Sequence, residues 1–154
     1  MIILATLCYV TENSKTLMLH RVKKPNDYHK EKWNGLGGKF EEGETPEECV
    51  IREVEEESGL KLEDPTLSGF IVFPKFDGEN DWNVFLFRAE KFSGELLRNS
   101  DEGNLEWIPN EKLFDLNLWE GDKIFLKWVF EKKFFTAKFI YENKKFVDYK
   151  VVFH

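Results

Sequence analysis

The segment from Gly38 to Leu60, GKFEEGETPEECVIREVEEESGL, constrains the fold more than any other part of the chain. Thr45 can cap a helix, Pro46 suits its first position, and Glu48 completes a capping box with the cap residue. Gly59 stands where a left-handed residue commonly ends a helix. The segment therefore predicts a short helix with defined ends, which begins after Thr45 and stops at Gly59.

Two sides of this predicted helix differ in chemistry. At about 100° per residue, the apolar side that would pack on the core carries Val50, Ile51 and Val54. The acidic side carries Glu53, Glu56 and Glu57. Like charges one turn apart destabilise a bare helix and raise one another's pKa, so this grouping predicts a cation beside them. Mg²⁺, with Mn²⁺ as an alternative, is the expected ion because it prefers carboxylate and water oxygens.

An acidic run can also be an ordinary solvated helix face, and that interpretation suits a chain with 29 acidic and 22 basic residues. The surrounding sequence adds more than charge. Three glycines precede the helix, at Gly35, Gly37 and Gly38. Arg52 lies one helical turn from both Glu48 and Glu56 and could pair with either carboxylate.

The complete pattern resembles the Nudix box, and a chance match to it in a chain of this composition is on the order of 10⁻⁶. The matching residues are Gly38, Glu44, Arg52, Glu53, Val54, Glu56, Glu57, Gly59 and Leu60. The resemblance implies an enzyme that hydrolyses a nucleoside diphosphate linked to another group, by attack of water on phosphorus. It also implies an α+β fold, an α/β/α sandwich in which helices flank a mixed β-sheet.

The resemblance assigns roles to the residues of this pattern. Metal ligands are implied at the Gly38 carbonyl and at Glu53, Glu56 and Glu57. In some family members the position of Glu53 also serves as the base. Arg52 and Glu44 are implied to tie the preceding loop to the helix, and Arg52 is also counted among the catalytic residues. A later acidic loop often adds a ligand, for which Glu102 is the candidate, with an ordinary surface glutamate as the alternative.

Elsewhere, apolar runs on either side of polar turns predict three pairs of β-strands. Their strands are residues 2–10 and 16–22, 67–76 and 82–90, and 134–141 and 146–153. Residues 107–116 indicate a strand end and a short helix after Pro109, and residues 120–133 have the i, i+4 apolar spacing of an amphipathic helix. This order is that of an α+β sandwich, and no boundary divides residues 1–154, so one domain is expected.

Three stretches resemble the MutT-type hydrolases that remove oxidised purine nucleoside triphosphates such as 8-oxo-dGTP. They are WNGLGGKFEEGET, LWEGD at residues 118–122, and FFTAKFIYENKKFVDYKV near the C-terminus. That branch releases the monophosphate and pyrophosphate, which sanitises the nucleotide pool and so serves DNA repair. Its implied base pocket uses Asn34 for hydrogen bonds, Trp119 for stacking, and an acid after Trp119 to read the purine.

The acidic part of that pocket departs from the family's pattern. Animal enzymes of this kind carry two adjacent aspartates after Trp-Pro, whereas in Trp119-Glu120-Gly121-Asp122 only Asp122 matches one of them. A carboxyl pair can share a proton and serve as donor and acceptor together, so a single Asp leaves selectivity for an oxidised base open. Trp119 could instead be a core anchor, Asn34 a turn residue and Asp122 a helix-start residue.

Other assignments stay open at this level. Arg21 and Lys23 could contact the triphosphate or could merely solvate the polar segment in which they lie. The hydrolysed group could be ADP-ribose or an RNA 5′ end instead of a nucleoside triphosphate. A Nudix domain that binds nucleotides as a regulator, without cleaving them, is the alternative from another class. The presence of all three box glutamates favours hydrolysis.

Charge and composition narrow the expected partners. A net charge of −7 disfavours stable binding of duplex nucleic acid. The opening MIILATLCYV is too short for a membrane span and lacks the basic residues of a signal peptide. Cys8 and Cys49 are too few for a disulfide framework, which favours a reducing, cytoplasmic setting. A monomer and a homodimer are both compatible with the sequence.

Overall fold

An eight-stranded mixed sheet forms the centre of the computed structural model, which describes residues 1–97 and 100–154. In chain order the secondary-structure elements of the protein are β1 (Ile2–Glu12), β2 (Lys15–His20), β3 (Trp33–Asn34), α1 (Pro46–Ser58), β4 (Lys61–Glu63), β5 (Thr66–Phe73), β6 (Asp81–Ala89), β7 (Lys91–Ser93), β8 (Asn104–Pro109), a 3₁₀ helix (Asn110–Asp115), α2 (Glu120–Phe130), β9 (Phe135–Glu142) and β10 (Lys145–Phe153). Across the sheet the order is β10-β9-β5-β6-β1-β2-β3, with β8 also paired to β2. Strands β4 and β7 form a separate two-stranded ribbon.

The three predicted strand pairs are confirmed as antiparallel neighbours: β1 with β2, β5 with β6, and β9 with β10. The first pair turns at Asn13 and Ser14, whose φ angles of 52° and 62° match the twist that two-residue hairpins favour. Two parallel pairings, β1 with β6 and β5 with β9, make the sheet mixed. The prediction of a mixed sheet flanked by helices is therefore correct.

Each face of the sheet has its own apolar core, because successive side chains of a strand point to opposite faces. One core packs α1 against the sheet and includes Cys8, Val10, Val50, Val54 and Phe87. The other core packs α2 against the sheet and includes Tyr9, Leu86, Phe125, Leu126 and Phe139. The alternation of residues 8, 9 and 10 between the two cores follows the strand period and fixes the register of β1.

Helix α1 has the ends that the sequence predicts. The Glu48 amide donates to the Thr45 hydroxyl at 3.1 Å, and the Thr45 amide donates to the Glu48 carboxylate at 2.9 Å. Gly59, at φ 79°, ends the helix in the left-handed region and donates its amide to the Glu55 carbonyl. Val50 and Val54 are fully buried and Ile51 is half-buried, so the predicted core face is correct.

The structure differs from the sequence-based expectations at the ends of two elements and at three short strands. The strand predicted over 16–22 ends at His20, and the helix predicted over 120–133 ends at Phe130. Strands β3, β4 and β7, of two or three residues, were not predicted, since such lengths carry no measurable periodicity. In the part of the chain that the structure describes, no helix is both long and apolar enough to cross a membrane.

Candidate active site

One cavity of about 530 Å³ opens beside the amino-terminal half of β1 and receives residues from distant parts of the chain. Most of the predicted site residues line it: Arg21, Asn34, Gly38, Glu53, Glu57, Glu102, Trp119 and Asp122. Its volume is in the range of small-molecule sites. The lining has an acidic end, where Glu53, Glu57 and Glu102 lie, and an aromatic end around Trp119.

The glycine-rich segment before α1 lies flat against β1 and brings the helix to the cavity. Leu36 and Cys8 exchange two backbone hydrogen bonds, and the Thr6 amide donates to the Gly38 carbonyl at 2.9 Å. A Cβ on Gly38 would lie 2.5 Å from the carboxylate of Glu53, so a larger residue there would displace that side chain. The Gly38 carbonyl, predicted as a metal ligand, accepts the Thr6 amide with one of its two lone pairs, and its role as a ligand stays a prediction.

Arg52 organises the carboxylates at the acidic end. Its guanidinium forms a bidentate pair with Glu44, at 2.7 Å and 2.9 Å, and also donates to Glu53 at 2.9 Å and to Glu56 at 3.2 Å. These bonds lower the pKa of the Glu44 carboxyl to about 2. Of the two partners considered from the sequence, Glu56 is correct, and Glu48 serves the helix cap instead. Arg52 therefore ties the loop to the helix, as the family pattern implies.

The three helix glutamates share one side of α1, but their carboxylates do not converge. Arg52 holds Glu53 and Glu56, whereas Glu57 accepts the Gly37 amide at 2.8 Å. Glu56 is 58% exposed and lies outside the cavity lining. Within residues 1–97 and 100–154, no group of three or more His, Cys, Asp or Glu side chains has the arrangement of a metal site.

The chemistry of the acidic end nevertheless fits a hard divalent ion. Burial, with the nearby carboxylates of Glu102 and Glu53, raises the pKa of Glu57 to about 8 against the opposing effect of the Gly37 amide. Burial likewise raises the pKa of Glu53, against the opposing effect of Arg52. Carboxylates that repel one another inside a cavity are stabilised by a cation, and an all-oxygen set suits Mg²⁺ or Mn²⁺. Glu53, Glu57 and Glu102 are the lining carboxylates that could supply such oxygens.

The predicted cationic residues have other partners. Arg21 lines the cavity, but its guanidinium forms a bidentate pair with Asp27, at 2.7 Å and 3.0 Å, and lies 3.4 Å from Glu102. It is placed to orient Glu102. Lys23 does not line the cavity, and its ammonium donates to the Ser100 carbonyl at 2.9 Å. The prediction that Lys23 contacts substrate is therefore not supported by its position.

The aromatic end is built by two loops that close on Trp119. The indole packs edge-to-face on Phe76 and Tyr141, at centroid distances of 4.9 Å and 5.5 Å, and stacks on Tyr28 at 5.9 Å. The Tyr28 hydroxyl donates to the Phe76 carbonyl and joins the two loops. Trp119 is only 5% exposed, too little for a whole base to stack on it in this conformation. Trp119 is thus both a cavity wall and the core anchor considered as its alternative.

Asn34 and Asp122 supply polar groups beside these rings. Both are largely buried and both line the cavity. Burial raises the pKa of Asp122 to about 7, although Lys32 opposes the shift. The neighbouring Gly121 explains the missing second aspartate, because a Cβ there would lie 2.8 Å from both the Phe139 ring and the Tyr141 hydroxyl. The aromatic packing of β9 excludes a side chain at that position.

Replacing Asp122 with asparagine should make the stability of the fold less dependent on pH. The carboxyl holds its proton more tightly in the fold than in the unfolded chain, so wild type loses stability as the pH rises from about 4 to about 7. The melting temperature of Asp122→Asn minus that of wild type should therefore grow by about 3 °C across this window. A difference that stays constant with pH would contradict the shift.

Several cavity residues escaped the sequence-based prediction: Tyr28, His29, Lys39, Phe73, Phe76, Asp77 and Trp82. The long polar segment over residues 23–32 gave one usable signal, since Tyr28 and His29 are rings in an otherwise polar loop. Phe76 lies in the turn after β5 and gave no such signal, because its approach to Trp119 depends on tertiary packing.

The chain is similar to known proteins in both sequence and fold. The NUDIX domain model matches residues 1–129. An oxidized purine nucleoside triphosphate hydrolase from Danio rerio is 34% identical over 141 residues, which cover 91% of this chain and 87% of the relative. A Nudix hydrolase from Bacillus subtilis is 32% identical over 120 residues, or 76% and 72% of the two chains. The crystal structure of a MutT protein from Bacillus halodurans matches with a TM-score of 0.87 and 30% identity over 97% of both chains.

Proposed function

The chain belongs to the Nudix hydrolase family, and we propose that it hydrolyses oxidised purine nucleoside triphosphates, such as 8-oxo-dGTP, to the monophosphate and pyrophosphate. The observation that carries this proposal is the single cavity in which an acidic end adjoins an aromatic end with amide and carboxyl groups. Relatives from zebrafish and mouse, 34% and 31% identical, are named oxidized purine nucleoside triphosphate hydrolases. This activity would remove damaged nucleotides before they enter DNA.

Nudix hydrolases generally use divalent metal ions, and we propose Mg²⁺ for this chain, with Mn²⁺ as a substitute. Glu53, Glu57 and Glu102 would hold the ion, because their carboxylates line the same end of the cavity. When bound, such an ion neutralises phosphate oxygens and lowers the pKa of a water molecule. Glu56 would join this set only after leaving Arg52, since it now lies outside the cavity.

The residues of the chain itself position the reacting groups. Arg52 holds the Glu53 carboxylate, and the Gly37 amide holds Glu57, so both are oriented before a substrate arrives. Arg21, 3.4 Å from Glu102, would orient that carboxylate. Glu53 is the candidate to accept the proton of the attacking water, because its carboxylate lines the cavity and burial raises its pKa.

At the other end, Asn34 and Asp122 would read the purine edge. An amide and a protonated carboxyl each offer one donor and one acceptor, which suits a base whose oxidation at C8 rearranges donors and acceptors. Because the pKa of Asp122 is raised to about 7, both forms of this carboxyl are present near neutral pH. A single acid could therefore supply the donor that the family obtains from a pair.

We place this activity in the cytoplasm, in a monomer or a homodimer that binds no duplex nucleic acid. Cys8 and Cys49 are both buried free thiols, which suits a reducing compartment.

The proposal is tested by ranking kcat/KM with Mg²⁺ for 8-oxo-dGTP, dGTP, dATP, ADP-ribose and a capped RNA 5′ end. We expect 8-oxo-dGTP to rank first and to release pyrophosphate. A first rank for ADP-ribose or RNA would overturn the substrate, and release of orthophosphate would overturn the position of cleavage. Glu57→Gln protein purified in the same way serves as the blank for contaminating hydrolases.

A further inference from the structure

His29 has a single defined tautomer at the aromatic end of the cavity. Its Nδ1 atom lies 2.8 Å from Nε1 of Trp119. An indole N–H can only donate, so Nδ1 of His29 must be the acceptor and carries no proton. The second ring nitrogen, Nε2, must then carry the proton of a neutral imidazole.

The surroundings keep this imidazole neutral. Burial, together with the nearby Arg21 guanidinium, lowers the pKa of His29 to about 4, against the smaller opposing effect of Asp27. Lys144 also disfavours a second proton. At neutral pH, His29 therefore presents one N–H donor, with a direction fixed by the bond to Trp119.

This donor has no assigned partner within the described residues, 1–97 and 100–154. The only buried polar side-chain atom without a hydrogen bond there is Oδ1 of Asn83, so Nε2 of His29 is not fully buried. The ring stacks on Phe76 at 5.8 Å and lines the cavity. Asn34 and Asp122 line the same cavity, and the Gly121 position beside Asp122 cannot carry an acid. The aromatic end thus gains a donor from His29 where the family's second acid is absent.

We propose that His29 determines base specificity, by donating its Nε2–H hydrogen bond to a ring carbonyl oxygen of the bound purine. This inference rests on the proposed function and adds a residue to its substrate site. A fixed donor favours a purine that presents a carbonyl oxygen, as 8-oxoguanine does at two ring positions. It disfavours adenine, which has no ring carbonyl and presents an amino group that is itself a donor.

The two ring nitrogens can be tested separately by size-matched substitutions. In His29→Asn the side-chain oxygen can reach the place of Nδ1 and keep the bond to Trp119, but nothing reaches the place of Nε2. In His29→Gln the longer amide reaches the place of Nε2 and can still donate. The pair separates a hydrogen bond to the base from support of Trp119.

The measurement is binding of 8-oxo-dGMP and dAMP by calorimetry without divalent ions, so it does not depend on hydrolysis. We expect His29→Asn to weaken 8-oxo-dGMP binding about tenfold and dAMP binding less than about twofold. His29→Gln should stay within about threefold of wild type for both nucleotides. Equal losses for both nucleotides in His29→Asn would assign a structural role and overturn the proposal, as would no loss.

Wild type that binds neither monophosphate would also overturn the role of His29. That result would leave the proposed hydrolysis to be judged by the kcat/KM ranking, so the two failures are distinguishable. Conversely, a ranking led by ADP-ribose together with selective binding of 8-oxo-dGMP would overturn the hydrolytic substrate and keep the base-reading role.

Discussion

Replacing Glu57 with glutamine should lower kcat by about 10³ and, in the absence of divalent ions, raise the melting temperature by about 3 °C. Activity falls because a neutral amide cannot replace a carboxylate as an ion ligand. Stability rises because glutamine can still accept the Gly37 amide and no longer places a charge beside Glu53 and Glu102. Steady-state kinetics and thermal denaturation of the same preparation measure both effects.

The gain in stability should depend on pH in a defined direction. The pKa of Glu57 is about 8 in the fold against an ordinary value of 4.5, so wild type loses stability as the pH rises from about 4.5 to about 8. The variant lacks this contribution of Glu57, so its melting temperature should exceed that of wild type by more at pH 8 than at pH 5. Glu55→Gln, on the exposed side of the same helix, is the matched control and should change neither quantity. A Glu57→Gln protein with wild-type kcat would remove Glu57 from the ion site.

Replacing Arg52 with lysine should lower kcat by about 10² without loss of the fold. A lysine ammonium has no planar fork and cannot hold Glu44, Glu53 and Glu56 together as the guanidinium does. The acidic end would then lose its preorganised geometry while keeping its charge on the helix. Arg88→Lys, at an arginine that contacts Ser68 on β5, is the matched control and should retain full activity.

A second measurement distinguishes the loss of carboxylate positioning by Arg52 from a general destabilisation of the fold. Arg52 lowers the pKa of Glu44 to about 2, so their interaction stabilises the fold above pH 4.5 and is lost as the pH falls toward 2. In Arg52→Lys the acid unfolding midpoint should move to higher pH, while stability near pH 7 changes less. An unchanged kcat, or an unchanged acid transition, would contradict the organising role of Arg52.

The sequence predicted the local features of this molecule well, because they depend on neighbours in the chain. The cap residues Thr45 and Gly59 defined α1 within one residue at each end, and the apolar runs defined the three strand pairs. Long-range pairing was not predictable in this way. That β8 lies beside β2, and β9 beside β5, depends on which edges remain free after the hairpins form.

At the acidic end, the sequence predicted the backbone positions of the residues but not the contacts of their side chains. Helical periodicity placed Glu53, Glu56 and Glu57 on one side of α1, which is correct for the backbone. It could not show that Glu56 pairs with Arg52 and lies outside the cavity, or that the Gly38 carbonyl accepts a bond from Thr6. These details depend on competition among nearby donors and acceptors in three dimensions.

At the aromatic end, the sequence departs from the family's acidic pattern at Gly121, and the residues that explain this departure lie elsewhere in the chain. Gly121 in place of an acid became intelligible only when Phe139 and Tyr141 were found against it. His29 likewise lies next to Trp119, 90 residues away along the chain. Residues that meet across such separations leave no periodic signal in a single sequence.

We propose that the acidic end of the cavity holds a divalent ion that hydrolysis requires. The most direct test of this claim is calorimetric titration of metal-free wild type and Glu57→Gln with Mg²⁺ and with Mn²⁺, followed by activity measurements on the same samples. We predict saturable uptake by wild type, much weaker uptake by the variant, and full recovery of wild-type activity when the ion is restored. Wild type that takes up neither ion, and whose activity is unchanged by adding them, would contradict the claim.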